Sequence, residues 1–280
     1  MVLAGRPNVG KSTLLNALVG EHLAVVSPKP QSTRVPVVGL VTRGDTQYIF
    51  TDSPGLLDPE YALHHAMRAS ALRAIRNADV IAYLHPLAEY PAPDLVSVAR
   101  LEKPPHAPIL TVYTKADLVP TSANLPQPPP TSTVVVSALT GAGIDALLAA
   151  LRDRLPESPF HYDPDEIATQ PMRFFAAEYV REAAFELLRE ELPYAVAVEI
   201  DEFREAQEPV YIRAVIYVER ESQKGIVIGT GGRTIRALGE TSRMKIEALL
   251  GRRVFLDLHV KVMPKWRRRP ASIKRLGYAE

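Results

Sequence analysis

The sequence predicts a two-part α/β protein: a mostly parallel sheet flanked by helices, followed by a smaller α+β domain. Three observations carry this. Gly5-Arg6-Pro7-Asn8-Val9-Gly10-Lys11-Ser12 fits G-x-x-x-x-G-K-[ST], a loop that cradles phosphate. Apolar strand-like runs alternate with helical stretches through residues 1 to 156, the pattern of a parallel sheet with crossover helices. From residue 172 the order becomes helix, two strands, short helix, glycine turn, long helix and strand.

The first strand is the lead-in Met1-Val2-Leu3-Ala4. It is shorter than the usual strand of about five or six residues, so either the chain begins upstream or this strand is trimmed. In the loop that follows, glycines let several N–H groups converge on one anion. Lys11 can reach the β- and γ-phosphates of a nucleotide, and Ser12 can hold Mg²⁺. Residues 12 to 19 read as a helix ending at Gly20, and its N-terminus adds to the attraction for phosphate. Gly5, Asn8, Val9, Gly10, Lys11, Ser12 and Thr13 are the expected phosphate contacts.

Residues 21 to 34 read as a loop, 35 to 42 and 47 to 51 as strands around a Gly44-Asp45 turn. Pro36 suits an edge strand. The second of these strands ends in Asp52-Ser53-Pro54-Gly55. An acidic residue at a strand's carboxyl end fits a Mg²⁺ contact, and the Gly55 N–H can face a γ-phosphate. Residues 61 to 77 read as a helix, 80 to 84 as a strand, 92 to 101 as a helix, 108 to 113 as a strand, 134 to 136 as the last strand and 143 to 155 as the closing helix. The proline-rich stretch 120 to 130 reads as a loop without a helix.

The functional loops of a parallel sheet lie at the carboxyl ends of its strands. The phosphate loop, Asp52, Thr114-Lys115-Ala116-Asp117 and Ser137-Ala138 all fall there. Asp117 bears on base choice. A carboxylate accepts both N1–H and the exocyclic amine of guanine, and adenine offers no such donor pair. The stem of Lys115 can lie across the base.

Composition narrows the setting. The chain has 280 residues, 46% of them hydrophobic, enough for two cores. It has no Cys, so disulfides, thiolate metal sites and Cys nucleophiles are excluded. No run of about 18 apolar residues spans a membrane and no signal peptide precedes the phosphate loop, so a cytoplasmic protein is expected. The net charge of +1 is unevenly spread. Residues 223 to 280 hold 14 Lys/Arg against 4 Asp/Glu, a net +10, and the remainder carries −9. That asymmetry points to a polyanion partner for the C-terminal part.

The Pro- and acid-bearing stretch 157 to 171 is the expected linker, giving domains at 1 to 156 and 172 to 280. In the second domain, residues 172 to 192 read as a helix, 194 to 200 and 210 to 218 as strands, 233 to 250 as a helix and 254 to 262 as the last strand. Gly229-Thr230-Gly231-Gly232 is a Gly-x-x-Gly turn before the long helix. Such a turn lets a nucleic-acid backbone come very close, with helix N–H groups for phosphate. Lys224, Arg233 and Arg236 flank it, and Ile228 is the expected apolar wall for bases. The basic tail 261 to 280, with Trp266, suggests phosphate contacts and one stacked base.

Together, Gly-x-Pro-Asn-x-Gly-Lys-Ser, Gln-Ser-Thr-Arg, Asp-Ser-Pro-Gly, Thr-Lys-Ala-Asp and Ser-Ala-Leu resemble the translation-factor-related P-loop GTPases, and within them the Era family of bacterial ribosome-assembly GTPases. The second half resembles a KH domain, and the ending Leu276-Gly277-Tyr278 is similar to that of the Era family, so the resemblance covers nearly the whole chain. It implies a P-loop GTPase domain followed by a KH-type RNA-binding domain. It implies GTP/GDP and Mg²⁺ as cofactors, with Ser12, Thr33 and Asp52 at the metal. Lys11, Thr33 and Gly55 then serve catalysis, and Thr114, Lys115, Asp117, Ser137 and Ala138 hold the base. Residues 21 to 36 and 53 to 65 become nucleotide-sensing switches. The implied partners are small-subunit ribosomal RNA near its 3′ end and the 30S subunit. No stable protein partner can be read from the sequence. A basic tail can also meet anionic lipid at the inner face of the cell membrane, although this one lacks a clear apolar face.

The chain departs from the common pattern in three ways. Thr114 stands where Asn is commoner, which weakens or rearranges one contact to the base or loop. Ser32 and Ser53 replace threonines. Leu56 stands where many GTPases carry Gln to orient the attacking water, and leucine has no polar group for that task. Slow intrinsic hydrolysis is therefore expected, helped by an ordered switch, a partner or a monovalent cation; in relatives an Asn at the Asn8 position ligates K⁺. A second reading, a hydrolytically weak, nucleotide-stabilised RNA-binding adaptor, draws on Leu56. Lys11, Ser12, Thr33 and Asp52 count against it. A GTPase that modifies transfer RNA fits poorly, since no catalytic second domain is visible.

Overall fold

The computed structural model describes residues 1 to 120 and 132 to 279; most of the proline-rich stretch 120 to 130, read as a helix-free loop, lies outside them. Chain contacts divide the protein into two units. The first comprises Met1–Ala24, Thr33–Pro59 and Met67–Thr169, and the second Val25–Ser32, Glu60–Ala66 and Gln170–Glu280.

The first unit is built on a six-stranded sheet. In chain order its elements are β1 (Val2–Ala4), α1 (Lys11–Val19), β2 (Val37–Arg43), β3 (Thr46–Asp52), α2 (Ala62–Arg76, which begins in the second unit), β4 (Ile81–Pro86), α3 (Leu95–Ala99), β5 (Ile109–Thr114), β6 (Thr133–Val135) and α4 (Ile144–Arg152). The strand order is β2-β3-β1-β4-β5-β6. All neighbours pair in parallel except the β2–β3 hairpin. Pro36 immediately precedes β2, which is an edge strand, where a missing N–H costs no ladder bond. The central strands are apolar throughout; every residue of β4 is buried, as expected where helices cover both faces. β1 has only three residues, yet it lies between β3 and β4, paired with β4 along its whole length and with β3 at Val2 and Leu3.

Helix ends follow local chemistry. α1 stops because Gly20 takes a left-handed φ of 84° and its N–H returns to the Asn16 carbonyl. α3 starts at Asp94, whose carboxylate accepts the Ser97 N–H at 3.0 Å. It covers five residues rather than the ten expected from 92 to 101. Pro93 disfavours helix at Ala92, and Asp94 is itself extended, so the helix begins only after that cap.

The expected linker is fastened to the first unit up to Thr169. The Gln47 side chain accepts the His161 N–H at 2.9 Å and donates to the Tyr162 carbonyl at 2.9 Å. Leu40 N–H reaches the Ile167 carbonyl at 2.9 Å, and Gly39 bridges Ala168 on the exposed side of β2. The segment thereby covers a free sheet edge.

The second unit has α5 (Met172–Leu187), α6 (Leu192–Ala195), β7 (Ala197–Arg204), β8 (Val210–Val218), α7 (Glu221–Ile228), α8 (Arg233–Leu250), β9 (Val254–Val262) and α9 (Pro270–Arg275). Its sheet order is β7-β8-β9, with β7 antiparallel and β9 parallel to β8. α5 ends at Leu187, not 192, and β7 runs on to Arg204 through a bulge between Ile200 and Glu202. Within this unit the side chain of Gln31 meets His64 at 2.9 Å, joining the two short segments taken from the expected switches.

Candidate functional site

The phosphate loop lies between β1 and α1. Asn8 has φ 61° and Gly10 φ 97°, so two residues turn the backbone through the left-handed region. Asn tolerates that conformation better than most residues. Val9 is buried and Asn8 exposed. Lys11 is only 6% exposed, and its ammonium donates to the Arg6 carbonyl at 2.9 Å. Burial pulls its pKa down to about 8, a drop that the Asp52 carboxylate partly offsets. Nucleotide phosphates would reverse that shift.

Three hydroxyl and carboxylate groups meet beside it. Ser12 Oγ donates to Asp52 Oδ2 at 2.7 Å, Thr33 Oγ1 to the same oxygen at 3.1 Å, and the two hydroxyls lie 2.9 Å apart. Asp52 is fully buried, and burial raises its carboxyl pKa against the opposing pull of Lys11. Its Oδ1 has no hydrogen-bond partner among the described residues. A buried, orphaned carboxylate oxygen beside two hydroxyls is a hard-oxygen set that suits Mg²⁺. Thr13 sits half-buried in the first turn of α1.

After Asp52 the chain is tied to the phosphate loop: Ser53 Oγ donates to the Leu3 carbonyl at 2.9 Å, and Leu56 N–H to Gly5 O at 2.9 Å. Gly55 lies against Pro7, where an added Cβ would stand 2.8 Å from the Pro7 nitrogen. Leu56 is 5% exposed and packs in a core cluster with Ala4, Ala71, Ile75, Tyr83 and Leu95. Its side chain therefore belongs to the core and orients no water.

The residues expected to hold the base meet at the ends of β5 and β6. Thr114 is buried and donates to the Val9 carbonyl at 2.6 Å. Lys115 takes φ 58°, which turns the chain into the 3₁₀ turn carrying Asp117. Ser137, fully buried, donates to Asp117 Oδ1 at 2.6 Å and thus orients that exposed carboxylate. Ala138 follows, half-buried. The sequence did not single out the Ser137–Asp117 bond; it follows from β5 and β6 being adjacent parallel strands.

In the second unit the Gly229–Gly232 turn joins α7 to α8, with positive φ at Gly229, Gly231 and Gly232. Thr230, Gly231, Arg233 and Arg236 are exposed, and Lys224 is half-buried on α7. A groove of about 420 Å³ begins at Gly232 and runs between α8 and β9. Ile235, Gly239, Leu256 and Leu258 supply its apolar walls, and Arg236 and Arg243 its positive charge, with Glu240 between them. Ile228, the expected wall, is half-buried at the end of α7 and does not line this groove. The strand residues were missed because only the β9 register brings them opposite the helix.

Trp266 corrects another expectation. It is 0% exposed, its indole N–H donates to the Ala195 carbonyl at 2.8 Å, and its ring lies 5.8 Å from that of Tyr278. It is a core residue of the second unit and has no face for a base. The tail's arginines are partly engaged as well; Arg267 pairs with Glu219 at 2.7 Å. Among the described residues no helix is long and apolar enough to cross a membrane.

Comparison with known proteins matches both units. Residues 1–115 fit the family model described as 50S ribosome-binding GTPase, and residues 191–267 fit that of the KH domain. The chain is 38% identical over 286 residues to GTPase Era of Staphylococcus haemolyticus, covering 99% of this chain and 96% of that protein. It is 39% identical over 287 residues to GTPase Era of Carboxydothermus hydrogenoformans, with the same coverage. A solved structure of an Aquifex aeolicus Era variant bound to GDP and AlF₄⁻ superimposes with a TM-score of 0.93 at 38% identity, covering 100% of this chain and 98% of that one. A structure of Era with MgGDPNP and nucleotides 1506–1542 of 16S ribosomal RNA gives 0.92 at 38% identity and the same coverage.

Proposed function

The chain belongs to the Era family of GTPases, hydrolysing GTP to GDP and phosphate, and from that premise we propose that hydrolysis here times an RNA-binding event in small-subunit assembly. The observation that carries this reading is the presence in one chain of a phosphate-and-cation site and an arginine-flanked glycine-turn groove. The RNA we assign is the 3′ end of small-subunit ribosomal RNA in the 30S subunit, the segment in the relative's complex.

In this reading the N–H groups of the phosphate loop and α1 hold the β-phosphate, and Lys11 bridges to the γ-phosphate. Bound Mg²⁺, held by Ser12, Thr33 and Asp52, would neutralise charge on the phosphate oxygens. The Gly55 N–H faces the γ-phosphate. Asp117, held by Ser137, accepts the two donor groups of guanine, and Lys115 covers the base. Leu56 is spent in the core, so water must be ordered by other means. We assign that help to K⁺ at Asn8, exposed on the loop, and to the ordered segments 21 to 36 and 53 to 65. Gly229 to Gly232, Lys224, Arg233 and Arg236 hold the RNA backbone, and the groove beyond holds its bases. The protein works in the cytoplasm, where this RNA is. Contact with the inner face of the cell membrane would rest on the tail's charges alone.

The test is GTP turnover by the full chain in K⁺ and in Na⁺, with and without an RNA carrying the 3′ end of 16S ribosomal RNA. Faster turnover in K⁺ is expected, with RNA affinity that falls steeply with salt. Fast turnover in Na⁺ without RNA would defeat the cation assignment. RNA affinity unchanged between low and high salt would defeat the electrostatic one.

A further inference from the structure

We infer that Thr114 straps the base-reading loop to the phosphate loop and leaves the N7 edge of guanine unread. The inference rests on the reading of guanine by Asp117. Thr114 closes β5 and is 4% exposed. Its hydroxyl donates to the Val9 carbonyl at 2.6 Å, with the His85 carbonyl 3.4 Å away as a weaker acceptor. A hydroxyl carries one proton. N7 and O6 of guanine only accept hydrogen bonds, so a side chain reads them only by donating. The proton of Thr114 is already given to Val9.

Packing agrees with this. A Cβ on Gly10 would stand 3.9 Å from both Cβ and Oγ1 of Thr114, so the side chain lies beside the phosphate loop with room for no more than one added carbon between them. Thr114 thus acts on the nucleotide indirectly. It sets the spacing between the loop that holds phosphate and Asp117, three residues further on. Discrimination of the base falls to Asp117, through the guanine N1–H and the exocyclic amine.

The experiment measures affinities of GDP, 7-deaza-GDP and IDP for the full chain and for Thr114→Val and Thr114→Ser. In the wild type, GDP and 7-deaza-GDP should bind within about twofold of each other, because Thr114 gives its proton to Val9 and not to N7. A 7-deaza-GDP affinity more than about tenfold weaker overturns the inference. IDP lacks the exocyclic amine and should bind at least about 50-fold more weakly. IDP as tight as GDP would sink the Asp117 reading, and the 7-deaza comparison would still judge Thr114 separately. Thr114→Val keeps the shape and orphans the Val9 carbonyl, so GDP and 7-deaza-GDP should weaken together, by about tenfold. Loss of GDP affinity alone would mean that the hydroxyl reads the base. Thr114→Ser keeps the proton and should restore both ligands to within about twofold. Serine as weak as valine would show that the strap is not a hydrogen bond.

Discussion

The loop from Gly5 to Ser12 and the turn from Gly229 to Gly232 each feed the N-terminus of a helix, but only the first is closed over by protein. A Cβ on Gly5 would stand 2.6 Å from the Leu84 carbonyl. A Cβ on Gly231 would meet nothing within 4 Å, and what favours glycine there is its φ of +61° alone. Around the first loop, side chains from four segments converge: Lys11, Thr33, Asp52 and Thr114 are all buried. The second turn is flanked by exposed arginines and opens into a shallow groove. Converging buried groups suit a compact anion with its cation. An exposed backbone turn suits an extended polyanion that it touches at few points. The same local device therefore serves two binding modes, and the surrounding shell decides which.

The largest expected effect is on the closed site. Lys11→Ala removes the buried ammonium at the phosphates and should lower GTP turnover by about 10²–10³-fold. RNA affinity of the nucleotide-free protein should stay within about twofold. Turnover within about tenfold of wild type would break the comparison, because the loop would then not depend on its converging charge. A pH series sharpens the point. The Lys11 pKa is lowered to about 8 in the free site, and bound phosphates favour the ammonium. Nucleotide affinity should therefore fall as pH rises through about 8, because binding must then take up a proton. Lys11→Ala should lose that slope, and any slope it keeps reports ionisation of the base.

A smaller effect is expected at the open turn. Gly231→Asp puts a Cβ and a negative charge where phosphate would approach. Asp visits the left-handed region more readily than most residues, so the fold should survive. RNA affinity should fall by about tenfold, with a salt slope shallower by about one. GTP turnover without RNA should stay within about twofold of wild type. Equal losses of turnover and RNA affinity would show that the two turns are not independent sites.

The two regions were not equally legible in the sequence. Residues 5 to 12, Asp52, 114 to 117 and 137 to 138 were located by spacing, because the end of a parallel strand is both a sequence boundary and a place in space. Adjacent strand ends then bring Ser137 to Asp117, and the phosphate loop reaches past β4 to bring the Val9 carbonyl to Thr114. The second region has no such rule. Its glycine turn was visible, but the groove beside it takes Leu256 and Leu258 from β9, whose register against β8 no local pattern encodes. Leu56 could be seen to lack a polar group, but not to fill a core with Tyr83 and Leu95. Trp266 misled because its neighbours in sequence, Lys265 and Arg267 to Arg269, are basic. Its neighbours in space are Ala195 and Tyr278.

The smallest effect separates the tail from the open turn. Trp266 is the only tryptophan in the chain, so intrinsic emission reports on it alone. Its ring is fully buried with the indole N–H bonded to Ala195 O, so RNA binding should leave both its emission and its protection from a soluble quencher unchanged. A stacked base would quench it and would return the tail to the RNA surface. Trp266→Phe keeps most of the packing and strands the Ala195 carbonyl, at a cost of about 1–3 kcal/mol in unfolding free energy. RNA affinity should stay within about twofold, measured where the variant is fully folded. A stable variant with weakened RNA binding would reverse this assignment and extend the open surface past the groove. A destabilised variant with RNA binding intact confines that surface to the glycine turn, its arginines and the groove.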